Sequence, residues 1–239
     1  MKSRPLLGYS NAKTVKGESL GYLTGILYLA PSNTVKGLNL CPLASKGCRK
    51  SCLYSAGRGR FNNVQKARVS KTEFFRDDLN GFMAALAVDI SKAQRKAQKL
   101  GLKLAIRLNG TSDIVWEKIQ NNGKNIFQIF PSVQFYDYTK DFRRFANKMP
   151  ANYHLTFSLS ESNLGHALKI IKLGINVAAV FAEVPAEFMG YKVISGDNHD
   201  LRFLDGNNGV IVGLTAKGQA KKDLTGFVQR INMLLSEAA

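Results

Sequence analysis

LKLAIRLNG at residues 102–110 and YHLTFSLSE at residues 153–161 decide the fold class. In the first, Leu104, Ile106 and Leu108 alternate with Ala105, Arg107 and Asn109; in the second, Leu155, Phe157 and Leu159 alternate with Thr156, Ser158 and Ser160. Period-two alternation over this length predicts two strands, each with one polar face. A doubly wound parallel sheet is covered on both faces and reads as continuously apolar. One polar face instead suits an α/β (βα) barrel or partial barrel, its outer face packed by helices and its inner face lining a pocket. Edge strands, or an α+β sheet with a wet face, are the alternative reading. No Gly-rich phosphate loop follows the first strand, so a dinucleotide fold has no local support.

Working outward, strands are predicted at 22–31, 130–138, 175–184, 191–195 and 209–218. Phe75, Leu79, Phe82, Met83, Leu86 and Ile90 have helical spacing, which predicts a long helix over 72–99, broken near Gly81 and stopped at Gly101. Further helices are predicted in SDIVWEKIQNN (112–122), DFRRFANKM (141–149), SNLGHALKIIKLG (162–174) and DLTGFVQRINMLLSEA (223–238). Strand and helix alternating at this interval imply parallel strands with crossover helices. The 239 residues read as a single α/β domain, with a basic segment at 1–71 and the repeating units at 72–239.

The chain carries 34 Lys+Arg against 17 Asp+Glu, a formal charge of +17 that favours anionic ligands or polyanions. The excess is concentrated, because residues 1–71 contain 13 basic residues and 1 acidic one. No apolar run approaches the ~20 residues of a membrane helix, and Met1 to Ser10 lacks a signal-peptide core. A cytoplasmic protein is expected.

Cys41, Cys48 and Cys52, the only cysteines, lie in LNLCPLASKGCRKSCLYSAGRGRF with spacing Cys-x6-Cys-x3-Cys. An odd trio within twelve residues is no secreted disulfide framework. A free cysteine is usually a small buried hydrophobe, yet Lys46, Arg49, Lys50, Arg58 and Arg60 surround these. Nearby positive charge lowers a thiol's pKa and favours the metal-binding thiolate. Structural zinc wants four ligands, and the nearest histidine, His154, is over a hundred residues away. Three thiolates suit a [4Fe-4S] cluster with one iron left open, and the surrounding cations would balance its negative charge. The pattern therefore favours a cluster over zinc, and either over plain thiols.

Polar residues gather at the C-terminal ends of the predicted strands, where a (βα) barrel builds its site. Arg107, Asn109, Asp113, Asp137 and Lys217 are candidate substrate-binding residues, with Arg58 and Arg60 from the basic segment. Glu161 and the loop residues Asp197, His199 and Asp200 are candidate catalytic groups for proton transfer or as a fourth cluster ligand. The rim also has plainer readings: Thr111 or Ser112 and Ser160 or Ser162 as helix caps, Asp137, Lys140 and Asp141 as a helix-start cluster, and GDNHDLRFLD as an Asx-rich turn with solvated charges; caps would leave Arg107 and Asn109 unexplained.

Three cysteines ahead of a (βα) array resemble the architecture of radical S-adenosylmethionine enzymes, although their usual spacing is Cys-x3-Cys-x2-Cys. The phrases KGCRKSCLYSAGRGRF, VQKARVSKTEFF, IRLNGTSDI, VQFYDYTK, HLTFSLSESN and GDNHDLRFLD, with GVIVGLTAKG, resemble the phage and mobile-element family known as gene product 88 proteins. That resemblance spans nearly the whole chain and implies a phage-type origin and a shared cysteine site, without supplying a reaction.

The leading expectation is an iron-sulfur protein holding a [4Fe-4S] cluster through Cys41, Cys48 and Cys52. Its open iron would face a substrate, S-adenosylmethionine or another small anionic ligand; whether it is an enzyme stays open. The alternatives are a nucleic-acid-binding protein, with Arg58, Arg60, Lys66, Arg68, Lys71, Tyr54 and Phe61 as its surface and zinc or a structural role for the cysteines, and a redox sensor or electron carrier.

Overall fold

A computed structural model describes residues 5–9 and 12–231. In chain order the elements are β1 (Leu7–Gly8), α1 (Ala12–Glu18), β2 (Tyr22–Leu27), α2 (Lys46–Lys50), α3 (Asn62–Asp77), α4 (Leu79–Lys99), β3 (Lys103–Arg107), α5 (Ile126–Ile129), β4 (Gln134–Thr139) and β5 (Tyr153–Ser158). After these come α6 (Leu164–Lys172), β6 (Val177–Phe181), β7 (Glu187–Phe188), β8 (Tyr191–Ser195), β9 (Ile211–Thr215) and β10 (Val228–Gln229).

The fold is α/β: one mixed, largely parallel sheet flanked by helices. Its strands run β1-β2-β3-β4-β5-β6-β9-β8-β7. All pairs from β2 to β8 are parallel, while β1 and β7 join antiparallel at the two ends. β5 touches β6 only through Phe157↔Val177 and Ser158↔Ala178. Beyond that point β10 takes β6, through Val228↔Val180 and Gln229↔Phe181. The sheet thus parts between β5 and β6 toward the strands' C-terminal ends, and β10 occupies the gap.

The expected division of faces is present. Leu104, Ile106, Leu108, Phe135 and Leu155 on one face are buried against the α4 residues Phe82, Met83, Leu86, Ile90, Ala93 and Ala97. Phe157 and Leu159 continue that face against Ala167, Ile170 and Ile171 of α6. These α4 positions recur at three- and four-residue intervals, which puts them on one helical stripe. On the opposite face, Leu201 packs against Ala105 and Tyr136, and Phe203 sits edge-on to Tyr22 and Tyr136 with ring centroids 5.1 and 5.6 Å away. The segment after β8 therefore folds across the inner face of β2, β3 and β4.

Four predicted elements change. The long helix starts at Asn62 rather than residue 72 and breaks at Asp78, whose carboxylate accepts from Gly81 N at 2.8 Å as the cap of α4. Residues 112–122 form only a single turn, Trp116–Lys118, because Asn109 Oδ1 accepts from Ile114 N, Ser112 Oγ and Trp116 Nε1 and holds the chain in a loop. The predicted helix at 141–149 is likewise reduced to the turn Phe142–Ala146, where Arg144 is drawn into a buried ion pair with Glu117 at 2.7 Å. Residues 223–230 are not helical: Asp223 accepts from Thr225 N, Thr225 Oγ1 and Val228 N, and this turn delivers β10 to the sheet. The remainder of that predicted helix, 232–238, lies outside the described residues.

Candidate functional site

β2 ends at Leu27, and the loop that follows it carries the three cysteines to the C-terminal end of the sheet. There they line a cavity of about 300 Å³ together with Thr111 and Asp113 after β3, Lys140 after β4, Ser158 ending β5, Asp197 after β8 and Lys217 after β9. The floor is apolar, with Ile26, Val180, Leu214 and Phe227. Ile26, Arg107, Tyr138 and Ser158 share the inner face of their strands, so the polar parity read at 104–109 and 155–160 is the parity that builds this wall.

The cysteine segment is fixed by local hydrogen bonds and one distant carboxylate. Ser45 caps α2, accepting from Cys48 N at 3.1 Å, and Cys52 caps the next turn, its Sγ accepting from Tyr54 N at 3.5 Å. Cys41 Sγ lies 3.7 Å from the carbonyl oxygen of Thr111. Glu161 grips the start of α2 with both oxygens, taking Gly47 N at 2.6 Å and Ser45 Oγ at 2.7 Å. Gly47 is needed there, since a Cβ would come within 2.6 Å of Phe227 Cβ and 2.8 Å of Glu161 Oε1.

All three thiols are half-buried and unbridged. Burial pushes the Cys41 thiol up to about 12, with the nearby Cys52, Asp113 and Cys48 adding to the rise. Burial also raises Cys52, against the opposing charges of Arg68 and Lys140. This corrects the expectation that the basic run lowers these pKa values. Lys46, Lys50, Arg58 and Arg60 are exposed, Arg49 is spent on the carbonyl of Ala44, and desolvation wins at Cys41 and Cys52. A metal would have to displace these protons on binding. Among the described residues, no three His, Cys, Asp or Glu side chains converge to hold one metal ion.

The remaining sequence-predicted residues divide by position. Arg107 lines the cavity in an ion pair with Asp200 at 3.0 Å, its guanidinium 4.6 Å from the Tyr138 ring centroid. Asp197 accepts from Lys217 Nζ at 2.7 Å and from Thr215 N at 2.8 Å. Asn109 also faces the cavity, although its side chain is engaged by its own loop. Asp113 accepts from Lys140 N at 2.9 Å, and burial raises its carboxyl.

Asp137 lies on the helix-covered face, where it accepts from Asn109 N at 2.7 Å and Tyr153 OH at 2.9 Å, and burial raises it to about 7. His199 is engaged with Arg202 and Asp205, away from the cavity lining. Glu161, Arg58 and Arg60 also stand outside that lining.

Sequence reasoning met Lys140 only as one polar residue after a strand, with a helix-start cluster as its plainer reading, and did not single out Ser158, Tyr28 or Tyr138 as site residues. The available signal was parity, because Tyr136, Tyr138 and Lys140 continue one alternation past the end of β4. Arg68, read only as part of a basic surface, is in fact buried. Its guanidinium lies 4.8 Å from the Tyr28 ring centroid and 5.5 Å from that of Tyr54, and its NH1 nitrogen has no hydrogen-bond partner.

No helix among the described residues is long and apolar enough to cross a membrane. A family model described as Gene product 88 matches residues 5–231. No curated protein and no solved structure matches the chain.

Proposed function

The chain belongs to the gene product 88 family, and for it we propose a phage-type iron-sulfur protein in which Cys41, Cys48 and Cys52 hold a [4Fe-4S] cluster at the mouth of the strand-end cavity. The observation that carries this reading is that three cysteines from one short segment open onto a single cavity with the ends of the parallel strands. The donor set fits. In a cluster each thiolate takes a different iron, so the sulfurs need not converge on one point. Arg68, with an unpartnered guanidinium nitrogen, places positive charge beside Cys52, where an anionic cluster would need it. When bound, such a cluster supplies an open iron able to coordinate a ligand or pass an electron.

Around it this chain's residues have separable tasks. Glu161 holds the cysteine segment in place, the Arg107–Asp200 pair stiffens the inner wall, and the apolar floor keeps water from part of the cavity. The ligand would be small and carry an anionic group; S-adenosylmethionine, whose carboxylate is such a group, is among the candidates. We also read the sheet as a partial barrel, the segment carrying Leu201 and Phe203 serving as its inner plug. Anaerobic reconstitution with iron and sulfide tests the proposal: a protein that stays colourless and retains neither element would sink it.

A second reading, a polyanion surface, is favoured by one specific feature. Arg58 and Arg60 are exposed beside the exposed Phe61, and the Arg60 guanidinium lies 5.8 Å from that ring's centroid. Salt-dependent binding of single-stranded DNA, lost in Arg58→Ala/Arg60→Ala, would support it.

A further inference from the structure

The cavity's cations are not equivalent. Arg107 is matched by Asp200 and Lys217 by Asp197, at 3.0 and 2.7 Å. Lys140 differs: its Nζ donates to Ser158 Oγ at 2.7 Å, and among the described residues no carboxylate oxygen lies within 4.0 Å of it. Asp113 is nearby but accepts from the backbone N–H of Lys140 rather than its ammonium. A lysine ammonium carries three N–H donors, and Ser158 uses one. Both residues line the cavity, and the ammonium lies 5.5 Å from the Phe227 ring centroid, next to the apolar floor. A half-buried ammonium hydrogen-bonded to a single hydroxyl, with no carboxylate in ion-pair contact, keeps donors for an incoming anion.

We infer that Lys140 Nζ and Ser158 Oγ anchor the anionic head, a carboxylate or a phosphate ester, of a small organic ligand whose apolar body lies against Ile26, Val180, Leu214 and Phe227. This deepens the ligand half of the proposed function and rests on the cavity rather than on the metal. The head group would give Lys140 the anionic partner that Arg107 and Lys217 already have in Asp200 and Asp197, and the apolar floor would reject a wholly polar ion such as free phosphate. Ser158 contributes direction, since its hydroxyl hydrogen is available to the ligand while its oxygen accepts from Lys140.

The test is an NMR titration of the full chain, before and after anaerobic reconstitution, with benzoate, phenyl phosphate and neutral benzyl alcohol. At least one anion should bind about tenfold tighter than the alcohol, as a charge-assisted hydrogen bond requires, and shift the Ser158 and Thr111 amides. The tighter of the two identifies the head group. Lys140→Met should reduce anion binding to the level of the alcohol, Lys140→Arg should retain most of it, and Lys172→Met, on the exposed end of α6, should leave it unchanged. Anions that bind no better than the alcohol, or bind Lys140→Met as they bind the parent, overturn the inference. Lys140-dependent binding by a protein that takes up no iron would sink the cluster reading alone and leave this one standing.

Discussion

Glu161→Ala offers a sensitive probe of how the cysteine segment is held. The carboxylate accepts from Gly47 N at 2.6 Å and from Ser45 Oγ at 2.7 Å, and Ser45 Oγ in turn accepts from Cys48 N. Hydrogen bonds to a charged group contribute about 1.5–3 kcal/mol each. Glu161 is half-buried, so water replaces part of what is lost, and the pair together should be worth roughly 2–3 kcal/mol. A loss of about 2.8 kcal/mol is a hundredfold change in the local opening equilibrium at about 1.4 kcal/mol per decade.

Amide hydrogen exchange reads that directly: Gly47 and Cys48 should lose protection by roughly one and a half to two decades in Glu161→Ala. Amides of β3 and β4 should change far less. Glu161→Gln keeps an oxygen for Gly47 N, and its amide can donate to Ser45 Oγ, so it should cost only about 1 kcal/mol. Unchanged protection at Gly47 in Glu161→Ala would refute the clamp. A Gln variant as damaging as the Ala variant would show that charge alone, not hydrogen bonding, carries the effect.

Three other substitutions have expected outcomes. Asp137 stays protonated to about 7 in the folded protein, whereas an unfolded aspartate ionises near ~3.9; its contribution to stability is therefore present below the unfolded value and lost as pH rises to about 7. Asp137→Asn should flatten the urea-unfolding stability profile across that window, and an unaltered profile would contradict the assignment. Gly47→Ala forces a methyl against Phe227 and Glu161 and should cost about 1–3 kcal/mol by overpacking, seen as a lower Tm. Arg68→Met removes one of the two cations that lower Cys52, so the pH midpoint for alkylating Cys52 should move up, and a downward shift would contradict the placement of that charge.

Alternation at 104–109 and 155–160 made the two-faced sheet legible because side-chain period and burial agree there: Leu104, Ile106 and Leu108 all reach the helix-covered core. The rim was legible for a topological reason, since parallel strands put Thr111, Asp113, Asp197 and Lys217 at one end whatever the loops do. Loop structure was not legible, because it depends on single polar side chains meeting distant backbone. Asn109 unmade one predicted helix, Arg144 with Glu117 shortened another, and Asp223 turned a third into β10.

The thiol environment was misread for a related reason. Sequence proximity placed five basic residues around the cysteines, but side-chain direction sent Lys46, Lys50, Arg58 and Arg60 to solvent and left Arg68, farther along the chain, as the buried cation. Lys140 could be placed on the inner face only by extending the parity of β4 beyond its last paired residue.

The most direct test of the three-thiolate site is the iron, acid-labile sulfide and zinc content of the anaerobically reconstituted chain, measured beside the Cys41→Ser, Cys48→Ser and Cys52→Ser variants. The account predicts about four iron and four sulfide per parent chain, with retention lost or sharply reduced in each variant. One zinc and no sulfide per chain, or iron that all three serine variants keep equally well, would contradict it.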